Sequence, residues 1–476
     1  MKPKPLTLEV AGWVSQLRYE HLPKKVVDTI RKCLLDTIGC GIYGRDRESS
    51  VIISKWVQDS TCLPNGYRGA TGWGDERASF RTHDAALVNG VAVHAFELDD
   101  FHNAKLHPGA AIIPAALALA EHIDASGKQL LTAIAAGYEV MIRSSKAFNP
   151  TIARLRGWQL TSVCGPLGAA AASASLLGLD QTGTAWALGL AGTQSSGTFA
   201  FNANGAMSKK FHPGKAAQAG VMSAELARRG FTGPTQLYEA TDGSLLRAIS
   251  DDPQEDVLTD RLGHEYHLCT IGIKPYSACA STHAYIDAAL ALRERFGERL
   301  AKIQSIKIGC TKVVDIQCGY PYVPENALTG QMSVRYCVAL TLLKGLPSPQ
   351  HFDEPYLGAK EVVSLAQSIS IERSQELEDL YPDHLSGWIS VQIDGEWHRA
   401  DVIDPTGSQG NPIEWPGIVK KFNALLVDHG SPERLRKIED AVASIENRKC
   451  GELTLAMRGL TRKEEGHALA QYAMVN

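Results

Sequence analysis

Three histidines, three acids and a lysine fall within the fourteen residues His94-Ala-Phe-Glu-Leu-Asp-Asp-Phe-His-Asn-Ala-Lys-Leu-His107, followed by Pro108-Gly109 and an apolar stretch. Ionisable groups at this density mark a site rather than a solvated surface. His and carboxylate side chains could ligate a metal, but there is no His-Glu-x-x-His, no pair of Cys-x-x-Cys motifs and no iron–sulfur cysteine pattern. The spacing therefore favours proton transfer and anion binding, with no metal expected. His107-Pro108-Gly109 places an imidazole at the start of a helix, whose free N–H groups also favour a bound carboxylate. Asp99 or Asn103 is expected to cap that helix.

Two further segments carry chemistry. Ser208-Lys-Lys-Phe-His212-Pro-Gly214 reads as a short cationic loop opening an Ala-rich helix. Lys274-Pro-Tyr-Ser-Ala-Cys279-Ala-Ser-Thr-His283 lies where the texture of the chain changes, and clefts at such junctions are favoured ligand sites. Cys279 is a candidate nucleophile or a buried structural thiol; no local Cys/His motif decides between them. Without a Gly-x-Gly-x-x-Gly after a strand or a P-loop, nothing points to a nucleotide, and no cofactor is expected.

The elements that must position these groups read as follows. Residues 7–235 show helical periodicity with little alternation, and 165–179 and 215–229 are rich in Ala and Gly, which lets helices pack closely. From 266 the pattern changes: residues 303–308, 368–372 and 389–402 alternate, the last around Asp394-Gly395, a strong two-residue hairpin signal. Residues 405–412 read as a linker, and 413–426 and 432–445 return to helical spacing. A chain of 476 residues with 44% apolar side chains can bury more than one small core. The expected fold is mainly α: a helical domain (1–265), a smaller α/β (α+β) domain (266–404) and C-terminal helices (405–476) completing the first.

A net charge of −4 gives no reason to expect nucleic acid or an anionic membrane surface. The longest small-apolar run, 164–179, is broken by serines and glycines and is too short to span a bilayer. Ten scattered cysteines lack a disulfide framework, and residues 1–5 do not read as a secretory signal. The expected location is a reducing compartment, the cytoplasm, with the mitochondrion left open.

Phe96-Glu-Leu-Asp-Asp100 with His107-Pro-Gly, Met207-Ser-Lys-Lys-Phe-His-Pro-Gly-Lys-Ala-Ala-Gln-Ala-Gly220, Gly230-Phe-Thr-Gly-Pro234, Lys274-Pro-Tyr and Gly330-Gln-Met-Ser-Val-Arg-Tyr336 resemble, in order and spacing, the MmgE/PrpD superfamily. The resemblance implies a large helical domain built from both chain ends, an α/β lid, a homodimer, and an active site between the domains. It implies a cofactor-independent lyase acting on a citrate-like polycarboxylate, either a 2-methylcitrate-type dehydratase or a cis-aconitate-type decarboxylase. The alternatives are an epimerase of a dicarboxylate such as iminodisuccinate, or a non-catalytic polycarboxylate-binding protein. Matched position by position, it makes His107 the acid/base and Lys209 and Lys274 the carboxylate-binding cations, with Glu97 and Asp100 orienting them. Phe101, Gln159, His212, Cys279 and His283 are assigned to substrate binding. Gln159, in Arg156-Gly-Trp-Gln, stands where many members carry a histidine, and a glutamine cannot shuttle a proton near neutral pH.

Overall fold

The computed structural model describes residues 5–76 and 79–462. The first four residues of the segment read above as lacking a secretory signal, and residues 463–476 of the C-terminal helical stretch, lie outside the described residues. The fold is mainly α, with twenty α-helices and six short strands among the described residues. None of these helices is long and apolar enough to cross a membrane.

Ala and Gly set the geometry of the helical layer. The helix Thr82–His94 packs against the helix Ser208–Arg228. A Cβ on Gly90 would lie 2.7 Å from the Gly214 Cα, so the backbones touch at this point and only glycine fits. A second close approach joins Gly168 of the helix Leu160–Leu176 to the Gly137 carbonyl of the helix Gly127–Ala147. Backbone contact of this kind aligns the C-terminal end of the first helix, His94, with the opening turn of Ser208–Arg228. The expected cationic loop is therefore the opening two turns of a helix that starts at Ser208 and runs through Pro213. Pro213 lies inside the helix and has no N–H to give to the Lys209 carbonyl one turn back. Lys209 and Lys210 sit at the positive end of the helix dipole, which by itself disfavours cations.

The alternating segments form strands as expected. β1 (Ala70–Thr71) pairs with β2 (Ser79–Phe80). β3 (Ile303–Cys310), β4 (Ser370–Arg373), β5 (Gly387–Ile393) and β6 (Glu396–Val402) make a sheet in the order β4-β3-β5-β6, with β3 and β4 parallel and the other pairs antiparallel. Asp394 and Gly395 turn the β5–β6 hairpin at φ 53° and 86°, the pair of positive angles a two-residue primed turn requires. The buried apolar residues of the four-stranded sheet and of most helices join in one large core, and a smaller cluster including Val57, Phe80, Leu87 and Val91 packs beside β1 and β2.

Two polar anchors reach across this core. Arg143 pairs with Glu139 and donates to the carbonyls of Val257, Asp260 and Glu265, while Glu139 accepts from the Leu268 N–H. This ties the 257–268 segment to Gly127–Ala147 and so fixes the approach of the chain to Lys274. The helix Trp415–Leu426 lies against the helix Lys24–Gly44. Its Lys421 is buried, ion-pairs with Asp36 at 2.5 Å and donates to the Leu98 carbonyl at 2.6 Å. A C-terminal helix thereby holds the loop that carries Glu97, Asp99 and Asp100.

Candidate active site

Residues 95–107 leave the helix Thr82–His94 as an irregular loop, with Glu97 at φ 58° and Lys105 at φ 62°. Left-handed backbone at two non-glycine residues costs free energy and persists only where the surroundings impose it, a condition that clusters at functional sites. The surroundings here are explicit. The Phe96 carbonyl accepts from Ser277 Oγ at 2.7 Å and from Gln331 Nε2 at 3.1 Å, while Gln331 returns its own carbonyl to the Cys279 N–H at 2.9 Å. Gln331, from the Gly330-Gln-Met motif, thus joins two of the three chemical segments.

Glu97 is the hub. Its carboxylate accepts from Lys209, from Lys210 at 2.7 Å and from Lys274 at 3.4 Å. Burial alone would raise its pKa, but the three ammonium groups hold it well below the ordinary carboxylate range. Lys210, buried beside two other cations, is pushed down to about 8. Lys274 is fully buried, and Glu97 and Asp99 hold its pKa above the ordinary lysine value in spite of that burial. It sits behind Glu97 instead of on the cavity wall, so the carboxylate-binding contact expected of it is indirect.

Asp99 is the second hub. Its Oδ2 lies 2.8 Å from His94 Nδ1 and 3.6 Å from His107 Nδ1, and Lys274 approaches Oδ1 at 3.9 Å. Since a carboxylate accepts, His94 donates from Nδ1 and uses Nε2 to accept from Lys209 at 2.9 Å. The expectation that Asp100 orients the cations, with Asp99 as a cap, is reversed. Asp100 turns to the opposite side of the extended chain, where it accepts from the Gly109 N–H at 2.8 Å and from the Tyr138 hydroxyl at 2.7 Å. Burial pushes its pKa up to about 7. The N-terminus of the helix Pro108–His122, expected to favour a substrate carboxylate, is thus filled by the protein's own Asp100.

His107 stands just before the first residue of that helix and faces a cavity. Its Nδ1 lies 2.9 Å from the Asp100 carbonyl, which can only accept, so Nδ1 carries the proton and Nε2 presents a lone pair. Burial, with Lys274 next, holds the imidazole well below its usual pKa, and the ring rests neutral. The cavity wall also includes Lys209, Glu97, Phe101, Gln159 and Cys279. Gln159 accepts from the Ser162 N–H at 2.6 Å and so caps the helix Leu160–Leu176 while lining the cavity. The Cys279 thiol, hydrogen-bonded by Cys318 and near Lys274, is drawn down to about 6, and Sγ accepts from Gln317 at 3.1 Å.

Two residues expected to bind substrate stand elsewhere. His283 is fully buried at the start of the helix His283–Phe296, with its ring packed edge-on to Tyr276 and Phe101 and Nε2 donating to the Ala278 carbonyl. His212 packs edge-on to Phe201, and neither histidine lines the cavity. In the other direction, His94, Asp99, Lys210, Lys105, Arg154 and Tyr381 belong to the site or its support without having been assigned to it from the sequence. The first four sit inside the two charged clusters, so density was their signal. Arg154 and Tyr381 have none.

His94, Asp99 and His107 offer ligand-type atoms within 4.8 Å of one another. The atoms are already committed: to each other, to Lys209 and to the Asp100 carbonyl. A divalent cation would displace those bonds and lie against the ammonium groups of Lys209 and Lys274, a poor fit to the donor set.

The buried His94, His102 and His283 and the half-buried His107 all have pKa values lowered first by desolvation, His102 and His283 to about 3. A histidine depressed in the folded state stabilises fully above its unfolded value near 6.5, and each loses up to about 1.4 kcal/mol per pH unit below that. Asp100 acts oppositely, since its raised pKa favours the fold at low pH, and so do the buried carboxyls of Asp36, Glu139 and Asp287, but His212, His267 and His351 are lowered by burial as well and add to the histidine side. The thermal midpoint is therefore expected to fall steeply from about pH 6.5 to 5.5. A flat midpoint across that range would mean the histidines are not held neutral.

With this geometry in place, the comparisons with known proteins give the family. The MmgE/PrpD N-terminal domain pattern matches residues 8–257 and the C-terminal domain pattern matches residues 276–447. The chain belongs to the MmgE/PrpD family. It is 31% identical over 464 residues to the cis-aconitate decarboxylase-like protein oryM of Aspergillus oryzae, covering 93% of this chain and 94% of that protein. It is 28% identical to a cis-aconitate decarboxylase of Aspergillus terreus, covering 93% of each chain, and 27% identical to the human cis-aconitate decarboxylase, covering 96% of each.

Proposed function

We propose that the protein is a cofactor-independent lyase acting on a citrate-like polycarboxylate, and that its reaction is loss of carbon dioxide from a cis-aconitate-type tricarboxylate. The observation that carries the lyase reading is the cavity wall on which His107 presents Nε2 beside the Lys209 ammonium. The names of the relatives favour decarboxylation over dehydration of a 2-methylcitrate-type acid.

In this reaction the electrons of the breaking C–CO₂ bond form the new alkene. Those of the old alkene move to the carbon beside a remaining carboxylate, which then takes a proton. Lys209 steadies the enediolate charge, and preorganised donors at developing charge supply a large part of such accelerations. The field of a bound trianion draws a solvent proton onto His107 Nε2, which delivers it to carbon. In dehydration the same lone pair would instead remove a proton.

The test is proton NMR in D₂O of chelator-treated protein with cis-aconitate, 2-methylcitrate, citrate and iminodisuccinate. Decarboxylation is expected to release carbon dioxide and to place one deuterium beside a carboxylate of the product. Conversion of 2-methylcitrate to an alkene without carbon dioxide would move the assignment to dehydratase. Inertness toward the whole panel would sink the lyase reading for these substrates.

A further inference from the structure

The cavity has a second cationic end, separate from the Glu97 cluster. Arg154, at the end of the helix Pro150–Leu155, is only 9% exposed and lines the same cavity as His107. Its guanidinium stacks 3.4 Å from the Phe199 ring centroid, and Nε has no hydrogen-bond partner. No carboxylate among the described residues pairs with it, and the groups that favour its charge are Cys318, Cys279 and Tyr381, with no Asp or Glu among them.

Lys105 is in the same position. It donates to the Tyr381 hydroxyl, lies 4.6 Å from that ring's centroid and is matched by no acid among the described residues. Burial, followed by repulsion from Arg154, pushes its pKa down to about 7. The side of the cavity carrying Tyr381 is fixed from Asn103, which donates to the carbonyls of Pro382 and Asp383. Two neighbouring cations, poorly solvated and without a counter-ion, are unfavourable unless an anion completes the group.

The charges of the two ends are complementary to a particular ligand. At the inner end the three ammonium groups of Lys209, Lys210 and Lys274 face the carboxylates of Glu97 and Asp99, leaving one net positive charge. At the outer end Arg154 adds one, and Lys105 a second when a bound anion favours its protonation. Arg presents a planar fork that takes a carboxylate through two parallel hydrogen bonds, and stacking on Phe199 fixes the plane of that fork.

We propose that Arg154, Lys105 and the Tyr381 hydroxyl form a second carboxylate subsite, which holds the end of the substrate distant from His107 and makes the protein selective for tricarboxylates over dicarboxylates. This rests on the lyase reading for the identity of the substrate, but not for the existence of the subsite.

The experiment therefore has a binding arm and a kinetic arm. In the first, calorimetry measures the affinity of the full chain for tricarballylate, an inert tricarboxylate, and for glutarate, a dicarboxylate. Arg154→Gln is expected to weaken tricarballylate by about tenfold or more, the weight of a lost charge-assisted hydrogen bond, and to leave glutarate within about threefold. In the second, KM for whichever tricarboxylate turns over rises by a similar factor while kcat changes little, as for a contact made equally in ground and transition states. Added guanidinium should restore part of the affinity of Arg154→Ala. Should the Arg154 variants fail to fold, Lys105→Gln carries the same comparison. Unchanged tricarballylate affinity, or equal losses for the two ligands, overturns the subsite even if turnover is found. Arg154-dependent binding without turnover on any substrate upholds the subsite and rejects the lyase reading instead.

Discussion

Replacing His107 by glutamine is expected to lower kcat by about 10²–10⁴-fold, the usual weight of a positioned general acid or base, with little change in folding. Glutamine can still donate to the Asp100 carbonyl, the bond that fixes the imidazole, so the backbone turn before the helix Pro108–His122 keeps its support. What disappears is Nε2, the ring nitrogen without a proton. KM should move little, because the cations around the cavity are untouched. The pH profile of kcat/KM supplies an independent reading. A histidine that abstracts a proton must be neutral, and its lowered pKa puts the loss of activity well on the acid side of pH 6.5. A histidine that must first be charged gives the opposite sign, with activity lost as pH rises. The first profile supports dehydration and the second decarboxylation. Turnover within threefold of the parent enzyme would remove His107 from the mechanism altogether.

Much of this site can be read in the sequence, and the remainder fails for physical reasons. Periodicity located the strands β3, β5 and β6, because alternation over several residues and an Asp-Gly turn leave few other conformations. Charge density located the loop 94–107 and the lysines at 209 and 210. Density does not say which way a side chain points, however, and in irregular backbone adjacent residues face opposite sides. Asp99 therefore reaches the histidines while Asp100 reaches Gly109 and Tyr138. His283 stands in a cluster that reads as chemical, yet it is a core residue behind Phe101. The Lys421 bond to the Leu98 carbonyl joins residues 323 apart, and helical spacing around Lys421 gives no hint of its partner. Arg154 lies in Ile152-Ala-Arg-Leu155, which reads like any partly exposed helix. Only the fold shows that no acid faces it.

Glu97→Gln is expected to be the most damaging conservative change in the protein. The substitution keeps the shape of the side chain and removes the one charge that Lys209, Lys210 and Lys274 share. Breaking a buried ion pair from one side typically costs about 3–5 kcal/mol, because the remaining charge stays desolvated, and here three cations are left facing one another. The protein can relieve this only by releasing protons. Lys210, already down to about 8, is the group placed to release first. The variant should therefore gain more stability than the parent as pH is raised from 7 to 9. The carboxylate's own contribution has the opposite window: a depressed Glu97 stabilises above its unfolded pKa near 4.3, and that stability is lost on acidification. Glu97→Asp separates charge from shape. It retains the negative charge and, as an aspartate, tolerates the left-handed backbone at φ 58°, but its carboxylate is one methylene shorter and cannot reach all three ammonium groups at once. Its unfolding midpoint should fall between those of the parent and Glu97→Gln. Chemical unfolding of the three proteins at pH 7 and pH 9 measures all of this. If Glu97→Gln proved as stable as the parent at pH 7, the three lysines could not all be charged, and the inner cationic end of the cavity would have to be redrawn.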